Sequence, residues 1–195
     1  MLDVLLGGEA DITVGPPPTR TDEHIEVLGT EEIVVVASPE HRFSGMDSVP
    51  LAELSAEPLV HYDPDNGNAL WLDQFAARCG VVLPQPALRT GSPRTAAQLA
   101  AVGMGVTIVP FSALTPWPGG TVRSIDPVEL RDVVVVVAAP HDDLLRRFVR
   151  DLKRRGLPDS RGSYLHQPGP ASGPARAAVI PGDARPVAAY AGCAP

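Results

Sequence analysis

Two unbroken apolar runs constrain the fold of this chain more than any other feature of its sequence. Residues 32–37 have the sequence EIVVVA and are followed by Ser38-Pro39, and residues 132–139 have the sequence DVVVVVAA and are followed by Pro140. Both runs are shorter than the roughly 18 apolar residues expected of a membrane-spanning helix. A short run of β-branched residues that ends at a proline is typical of a strand covered on both faces. The sequence therefore predicts two strands buried inside a layered domain.

The segments around these runs alternate between strand and helix patterns. Apolar residues fall at helical spacing within residues 72–79, 96–103 and 143–155, and several shorter apolar stretches end at glycine or proline. Alternation of this kind indicates an α/β layer structure, and we expect mostly parallel pairing of its strands. The shorter strand candidates are residues 11–15, 59–62, 87–90, 106–109 and 121–125.

The last part of the chain has a different composition. Pro, Gly, Ala, Ser and Arg dominate residues 168–195, and no helical or strand spacing recurs after residue 158. Such a segment cannot bury enough apolar surface to offset the entropy that ordering it would cost. We therefore predict that residues 158–195 form a disordered tail.

The charge balance argues against a surface that binds nucleic acid. The formal net charge is −7, whereas proteins that bind DNA usually present a basic face to the phosphates. The dense basic cluster in residues 146–155 suits the C-terminal end of a solvated helix, and a phosphate-binding role is its alternative. Neither a signal peptide nor a membrane span is visible. We expect a cytoplasmic protein whose chain makes no direct contact with DNA or with a membrane.

No catalytic or cofactor motif emerges from the sequence. Gly103-Met-Gly105 lacks the third glycine of a dinucleotide fingerprint and follows a predicted helix, the reverse of the order that pyrophosphate binding requires. Glu31 and Glu32 are adjacent on a predicted strand, so they point to opposite faces and are not paired carboxylates. The five histidines do not pair at metal-ligand spacing. We expect no enzymatic activity, no cofactor and no metal site.

His61 lies at the end of a predicted strand, and two roles for it stay open. It is either a buried imidazole whose nitrogens are satisfied by neighbours or a residue of a ligand site. The segment YDPDNG at residues 62–67 resembles a calcium loop only loosely, and it suits a turn before a helix better.

Three stretches, in this order and spacing, resemble the effector-binding domain of LysR-type bacterial transcription regulators. Residues 6–15 (LGGEADITVG) are similar to the family's helix end, glycine, acidic residue, aspartate and apolar strand. Residues 32–41 (EIVVVASPEH), followed by 49–54 (VPLAEL) and 58–60 (PLV), are similar to its crossing strand and the entry to its second subdomain. Residues 97–110 (AQLAAVGMGVTIVP) are similar to its helix–glycine–strand–proline run.

The resemblance extends over about residues 1–155 and implies the α/β fold of type 2 periplasmic binding proteins, in which two crossing strands join two subdomains. It also implies that the first subdomain is incomplete here. The family's winged helix-turn-helix and the opening strand–helix–strand of that subdomain have no counterpart before the first matching stretch. The implied division is residues 1–31 for the remnant of the first subdomain, 32–37 for a crossing strand, 38–132 for the second subdomain, 133–157 for the return strand and helix, and 158–195 for the tail.

The function implied by the resemblance is that of a module that senses a small-molecule effector for a transcription regulator, with the DNA-binding part absent from this chain. Self-association is expected of the full-length regulator. The alternative is a solute-binding protein of the same fold that serves a transporter, and the lack of a visible signal peptide disfavours it. An enzyme on this scaffold is disfavoured by the lack of a catalytic constellation.

In this fold the ligand lies between the subdomains, at strand ends and helix N-termini. Ser92-Pro93 opens a predicted helix whose free N–H groups and positive dipole end favour an anion, and Arg94 and Thr95 could add a charge and a hydroxyl. We expect a small organic anion, in particular a carboxylate, between Ser92 and the Gly15 loop, the alternative being that Ser92 only caps its helix. The candidate effector-binding residues are Gly15, Pro16, His61, Tyr62, Thr90, Gly91, Ser92 and Pro110.

Overall fold

The computed structural model describes residues 2–18, 22–115 and 119–157, so the predicted tail at 158–195 lies outside the described residues. Helices and strands alternate along the chain as the sequence predicts. The α-helices are α1 (Leu2–Leu6), α2 (Gly67–Arg78), α3 (Pro93–Ala101) and α4 (Asp143–Arg155). The strands are β1 (Ile12–Gly15), β2 (His24–Ala37), β3 (Ser48–Pro50), β4 (Val60–Tyr62), β5 (Leu88–Thr90), β6 (Thr107–Pro110) and β7 (Thr121–Val137).

Two long strands, β2 and β7, form the centre of the main sheet. They run antiparallel, and their pairing extends from His24 opposite Val137 to Ala37 opposite Thr121. The apolar run at 32–37 is the last part of β2, whose residues 33–37 are at most 1% exposed. The other apolar run belongs to β7. The predicted strand at 121–125 is part of β7 as well, because the chain between the two stays extended and pairs with β3.

The main sheet is mostly antiparallel, so the expectation of mostly parallel pairing is wrong for it. The strand order is β1-β7-β2-β6, with β3 beside β7. The pairs β1–β7, β7–β2 and β2–β6 are antiparallel, whereas β3 and β7 are parallel. The reason is topological, since strands that leave one half of the molecule and return to it run in opposite directions where they meet. The parallel expectation holds for the separate pair formed by β4 and β5.

Most of the buried apolar side chains belong to one cluster, which we call the main core. The main core combines the buried half of β2 with β4, β6, α2 and α3, and it contains Val35, Leu54, Phe75, Ala100 and Val109. Apolar residues on α2 and α3 recur every three or four positions, so one face of each helix covers the sheet. The main core packs the segment between β2 and β7 against the buried half of β2.

The opposite end of the sheet is covered by much smaller clusters. Alternate residues of β7 point to opposite faces. Val134 and Val136 contact Leu5 on one face, and Val135 and Val137 contact Val149 on the other. The division into subdomains stays a prediction, but the apolar packing is clearly unequal at the two ends of the sheet.

Helix α4 occupies the residues predicted for it, 143–155. Its start is fixed by Asp142, whose Oδ1 accepts hydrogen bonds from the backbone N–H groups of Leu144 at 2.8 Å and Leu145 at 3.0 Å. Its end coincides with Gly156, which has a φ of 68° and so adopts the left-handed conformation that glycine tolerates. Asp142 and Gly156 thus set the length of α4 by local chemistry.

Candidate functional site

A buried ion pair lies where the two long strands pass between the ends of the molecule. Glu31 of β2 and Arg131 of β7 are direct partners in the strand register, and the Arg131 Nη2 donates to the Glu31 Oε1 over 3.0 Å. The two side chains are only 5% and 6% exposed. Removing two charges from water is costly unless further hydrogen bonds compensate for it. The pair therefore depends on hydrogen bonds and charges from the side chains around it.

Helix α2 supplies part of that compensation. The Arg131 Nη1 donates to the Asn68 Oδ1 over 2.8 Å, and the guanidinium lies 5.3 Å from the centre of the Trp71 ring, in the range of a cation–π contact. Asn68 is held in turn by Asn66, whose Oδ1 accepts from the Asn68 backbone N–H over 2.9 Å. The first turn of α2 is therefore fixed directly against Arg131.

A narrow crevice opens beside this cation. It encloses no space large enough for a water molecule, whereas typical ligand pockets have roughly 300–1,000 Å³. A ligand can therefore enter the crevice only if the surrounding parts of the molecule separate. Its lining residues come from β2, β4, α2, β6 and β7, and they are Ile33, Tyr62, Asn68, Trp71, Ile108, Val109, Pro110 and Arg131.

Tyr62 provides a rigid wall of the crevice. Its hydroxyl donates to the Ile108 carbonyl oxygen over 2.6 Å, which ties β4 to β6. Burial raises the pKa of Tyr62 well above its ordinary value, while the Arg131 charge acts to lower it and the Glu31 charge to raise it. Tyr62 is therefore a neutral hydroxyl at any physiological pH, and both charges of the ion pair act on it.

Two further contacts anchor the acidic groups on this face. The Glu31 Oε2 accepts from the backbone N–H of Ser112, in the turn after β6, over 3.3 Å. Glu129 lies two residues before Arg131 on β7 and pairs with Arg78 of α2 at 3.1 Å. Burial raises the pKa of Glu129, and the Arg78 charge opposes that change without reversing it. The face therefore carries two cations and two carboxyl groups.

Tyr62 and Pro110 are the two sequence candidates that line the crevice. Thr90, Gly91 and Ser92 lie next to this wall, because Thr90 is the register partner of Tyr62 in the β4–β5 pair. The Asn66 Nδ2 also donates to the Gly91 carbonyl oxygen over 2.7 Å. The structure thus brings five of the eight candidates into one neighbourhood, although it does not test whether they bind an effector.

The remaining candidates, Gly15, Pro16 and His61, do not line the crevice. Gly15 pairs with Val134, three residues along β7 from Arg131 and hence about 10 Å away at the rise of an extended strand. His61 is buried, and its Nδ1 accepts from the Tyr62 backbone N–H over 2.7 Å, while its Nε2 lies 3.2 Å from the Asp73 Oδ1. Both ring nitrogens have protein partners, as the satisfied-imidazole alternative requires.

Ser92 occupies the N-cap position of α3 without forming a side-chain cap hydrogen bond. Its backbone carbonyl accepts from the Ala96 N–H over 3.0 Å, so the helix begins there through its backbone. The neighbouring Arg94 donates to the backbone carbonyl of Thr115. The hydroxyl of Ser92 is therefore not occupied in capping, and its role as a ligand contact stays a prediction.

Sequence reasoning missed Glu31, Arg131, Asn68 and Trp71 as site residues. It correctly placed Glu31 and Glu32 on opposite faces, since Glu31 faces Arg131 while Glu32 accepts from the Ser124 hydroxyl over 2.6 Å. The signal that could have found the pair is the charge beside each apolar run, acidic before the first and basic before the second. Opposite charges at matching positions of two antiparallel crossing strands indicate a cross-strand pair.

Among the described residues, no helix has the length and apolar character needed to span a membrane. In the same part of the chain, no three side chains of His, Cys, Asp or Glu come together in a way that could hold a metal ion.

Comparisons with known proteins agree with this architecture. The chain is 25% identical over 115 residues to the RuBisCO operon transcriptional regulator of Acidithiobacillus ferrooxidans, an alignment that covers 58% of this chain and 37% of that protein. The chain thus spans well under half the length of this curated relative.

Solved structures show the same fold. The regulatory domain of CcmR from Synechocystis PCC6803, in complex with 2-PG, has a TM-score of 0.70 at 21% identity over 80% of this chain and 77% of that one. The effector-binding domain of QuiR in complex with shikimate has a TM-score of 0.66 at 19% identity, covering 80% of this chain and 76% of the other. The fold is that of type 2 periplasmic binding proteins, as the resemblance implied.

The sequence profile of the LysR substrate binding domain matches residues 1–156, about four fifths of the chain. The match covers every helix and strand described above, including both crossing strands and the residues that line the crevice. This chain therefore belongs to the LysR substrate-binding domain family, the effector-sensing domain of LysR-type transcription regulators.

Proposed function

We propose that this chain senses a small organic anion in the crevice and reports its binding to the DNA-binding part of a LysR-type transcription regulator. The observation that carries this proposal is Arg131, a buried guanidinium that lines a crevice at the junction of the two crossing strands. A cation held in a site with little water attracts an anion more strongly than one at the surface. The aromatic walls formed by Tyr62 and Trp71 suit a flat or compact organic group.

One of the ligands named for two structural relatives supports the same class of molecule. CcmR was solved with 2-PG and QuiR with shikimate. Shikimate is a small molecule that carries a carboxylate. We propose that the effector here is likewise a small acid, held between the crevice and the loops that contain Gly15, Pro16 and Ser92.

The basic cluster on helix α4 is the feature that bears on contact with DNA. Helix α4 carries the dense basic cluster, and three of its six cations have acidic neighbours: Arg146 with Asp143, Lys153 with Glu26 at 2.9 Å, and Arg154 with Asp151 at 2.9 Å. These contacts support a solvated helix face rather than a phosphate-binding one. We propose a cytoplasmic regulator that self-associates, and in which this chain contacts neither DNA nor membrane and catalyses no reaction.

A thermal-shift screen of metabolites on the 195-residue chain tests the choice of ligand. Carboxylates should raise the melting temperature, whereas matched amides and amines should not. The Ser92→Gly variant is the companion experiment, because glycine supports a helix start almost as well as serine but removes the hydroxyl. A weaker carboxylate-induced shift in that variant would place Ser92 in the site. Stabilisation by neutral or cationic compounds alone would contradict the anion proposal.

The genomic DNA upstream of Met1 tests the regulator itself. An in-frame coding sequence for a winged helix-turn-helix is the expected finding, since DNA recognition needs such an element. A secretion signal in frame at that position would instead favour a solute-binding protein of the same fold.

A further inference from the structure

The hydrogen-bonding capacity of Arg131 is only partly used. A guanidinium has five N–H groups arranged as a planar fork. In Arg131, Nη1 donates to Asn68 and Nη2 donates to Glu31, but the buried Nε–H has no hydrogen-bond partner among the described residues. An unpaired N–H of a buried cation is costly, and buried polar groups in folded proteins are nearly always paired. This edge of the guanidinium therefore suits an acceptor that the protein itself does not supply.

We infer that the Nε–Nη2 edge of Arg131 binds the carboxylate of the effector in a bidentate manner, and that the Glu31 carboxylate occupies part of this edge when no effector is bound. The inference rests on the proposed sensing function and assigns the anchor of that site. Arginine binds carboxylates preferentially through two parallel N–H···O bonds. Glu31 now makes one such bond, through Oε1, and leaves Nε without an acceptor.

The guanidinium is already held in place for this exchange. Asn68 fixes Nη1 at 2.8 Å, and the Trp71 ring covers the cation at 5.3 Å. Neither contact uses the Nε–Nη2 edge, so neither has to break when a carboxylate arrives. A cation that is fixed before binding loses little conformational entropy on binding.

Glu31 has one hydrogen bond outside the ion pair. Its Oε2 accepts from the Ser112 backbone N–H at 3.3 Å, and this contact does not involve Arg131. A displaced Glu31 therefore loses its cation but keeps a neutral partner, and the bond between the ligand and Arg131 has to offset that loss.

The surrounding charges favour a monocarboxylate over a phosphate dianion. Arg131 and Arg78 are balanced by Glu31 and Glu129 on the same face of the crossing strands. A ligand adds its own charge to this balanced set, and every additional negative charge is repelled by the two carboxylates that remain nearby.

Displacement of Glu31 would couple ligand binding to a change in the contact between β2 and β7. The ion pair joins β2 to β7, and Glu31 also contacts the turn after β6. A ligand that takes Arg131 from Glu31 replaces a contact between the crossing strands by a contact to itself. The two arrangements are the one with the Glu31–Arg131 bond and the one without it. A ligand that binds the second more tightly than the first shifts the population toward the second.

Isothermal titration of the 195-residue chain with acetate and benzoate, and with acetamide and benzamide as neutral counterparts, tests the inference. Inorganic phosphate serves as the dianionic probe. The proteins are wild type, Glu31→Gln and the double variant Glu31→Gln/Arg131→Met. The double variant removes both partners of the buried pair, a change that folded proteins often tolerate.

The carboxylates should bind wild type. They should bind Glu31→Gln about tenfold more tightly, which is a coupling of ordinary size. They should bind the double variant at least about tenfold more weakly than Glu31→Gln. The amides should bind none of the three proteins. Equal carboxylate affinity in wild type and Glu31→Gln would overturn the inference, as would undiminished binding by the double variant or a preference for phosphate.

The failure of this inference can be told apart from failure of the sensing function. If neutral metabolites stabilise the wild-type chain while neither carboxylate binds any variant, the anchor assignment and the choice of an anion are both wrong, and effector sensing itself stands. If no compound binds any of the proteins, both are wrong.

Discussion

The two ends of the molecule share their longest strands but differ in how those strands are covered. Val27 and Val35 are the same residue type on the same strand, β2, yet Val27 is 50% exposed and Val35 is 1% exposed. Val35 lies in the main core, with α2, α3 and β6 around it, whereas Val27 lies at the end covered by α1 and α4. The comparison shows that the elements packed against a strand decide how deeply its residues are buried, since residue type and strand are the same in both cases.

The candidate site lies at the boundary between these ends. Glu31 and Arg131 occupy the register level at which β2 changes from half-exposed to buried. The crevice beside the pair is lined largely by main-core residues, among them Ile33, Tyr62 and Val109. The pair therefore lies at the edge of the main core, where β2 becomes half-exposed.

The largest effect is expected from Arg131→Met, which removes one partner of the buried pair at the boundary. The Glu31 carboxylate would stay buried without its cation, and the expected loss in free energy of unfolding is about 3–5 kcal/mol. Chemical denaturation of the two single variants and of Glu31→Gln/Arg131→Met measures it. The double variant should lose markedly less than Arg131→Met alone. A loss below about 1 kcal/mol for Arg131→Met would mean that Glu31 is well solvated in solution.

A matched pair of valine truncations compares the two ends directly. Val109→Ala removes two methyl groups from the main core, where packing cannot relax, and should cost about 2–3 kcal/mol. Val149→Ala makes the same change beside Phe148, which is 51% exposed, so the neighbours can move and the expected cost is about 1 kcal/mol. Urea denaturation of both variants provides the values. Equal losses would show that the two ends form one equally packed unit.

Helix caps provide a smaller and more local test. Asp142 accepts two backbone N–H groups at the start of α4, so Asp142→Ala should cost about 1 kcal/mol. Ser92 forms no side-chain cap bond at the start of α3, so Ser92→Ala should cost less than about 0.5 kcal/mol. Thermal denaturation without ligand separates the two. A larger loss at Ser92 would restore the alternative in which its hydroxyl caps α3.

Much of the fold could be predicted from the sequence, because its signals are local. Helix α4 was predicted over residues 143–155, since its acidic start and its apolar stripe lie within one segment. Direction of pairing is not a local property. No residue type in β2 or β7 indicates which strand will lie beside it. The antiparallel direction of the main sheet depends on the topology of the whole domain.

The candidate site was harder to predict because it is assembled from distant parts of the chain. Arg131 and Glu31 are separated by 100 residues, and Asn68 and Trp71 belong to a helix whose predicted stripe began only at residue 72. Tyr62 and Pro110 line the crevice and were candidates because strand ends are where the resemblance places the ligand, but their role in binding stays a prediction. The charged pair was missed because each member, taken alone, resembles an ordinary exposed residue beside an apolar strand.

The smallest expected effect is the pH dependence of Glu129→Gln. Burial raises the pKa of Glu129 above its ordinary value near 4.5, against the opposing Arg78 charge. The folded state therefore binds this proton more readily than the unfolded state, so the ionised group lowers stability at neutral pH, and this cost disappears as the pH falls through the folded pKa toward 4.5. Glu129→Gln should consequently be more stable than wild type at pH 7, with an advantage that shrinks toward pH 4.5 in parallel denaturation curves.

Glu57 is the matched control for that measurement, because its pKa moves in the opposite direction. Burial acts to raise the Glu57 pKa, but the hydrogen bonds and charges of Arg42 and His41 outweigh it and hold the value below the ordinary one. Ionised Glu57 therefore adds stability that is lost as the pH falls through its lowered pKa. Glu57→Gln should be less stable than wild type at pH 7, with a deficit that shrinks in acid. If both variants change stability in the same direction at pH 7, the expected contrast between Glu129, whose pKa is raised, and Glu57, whose pKa is lowered, is wrong.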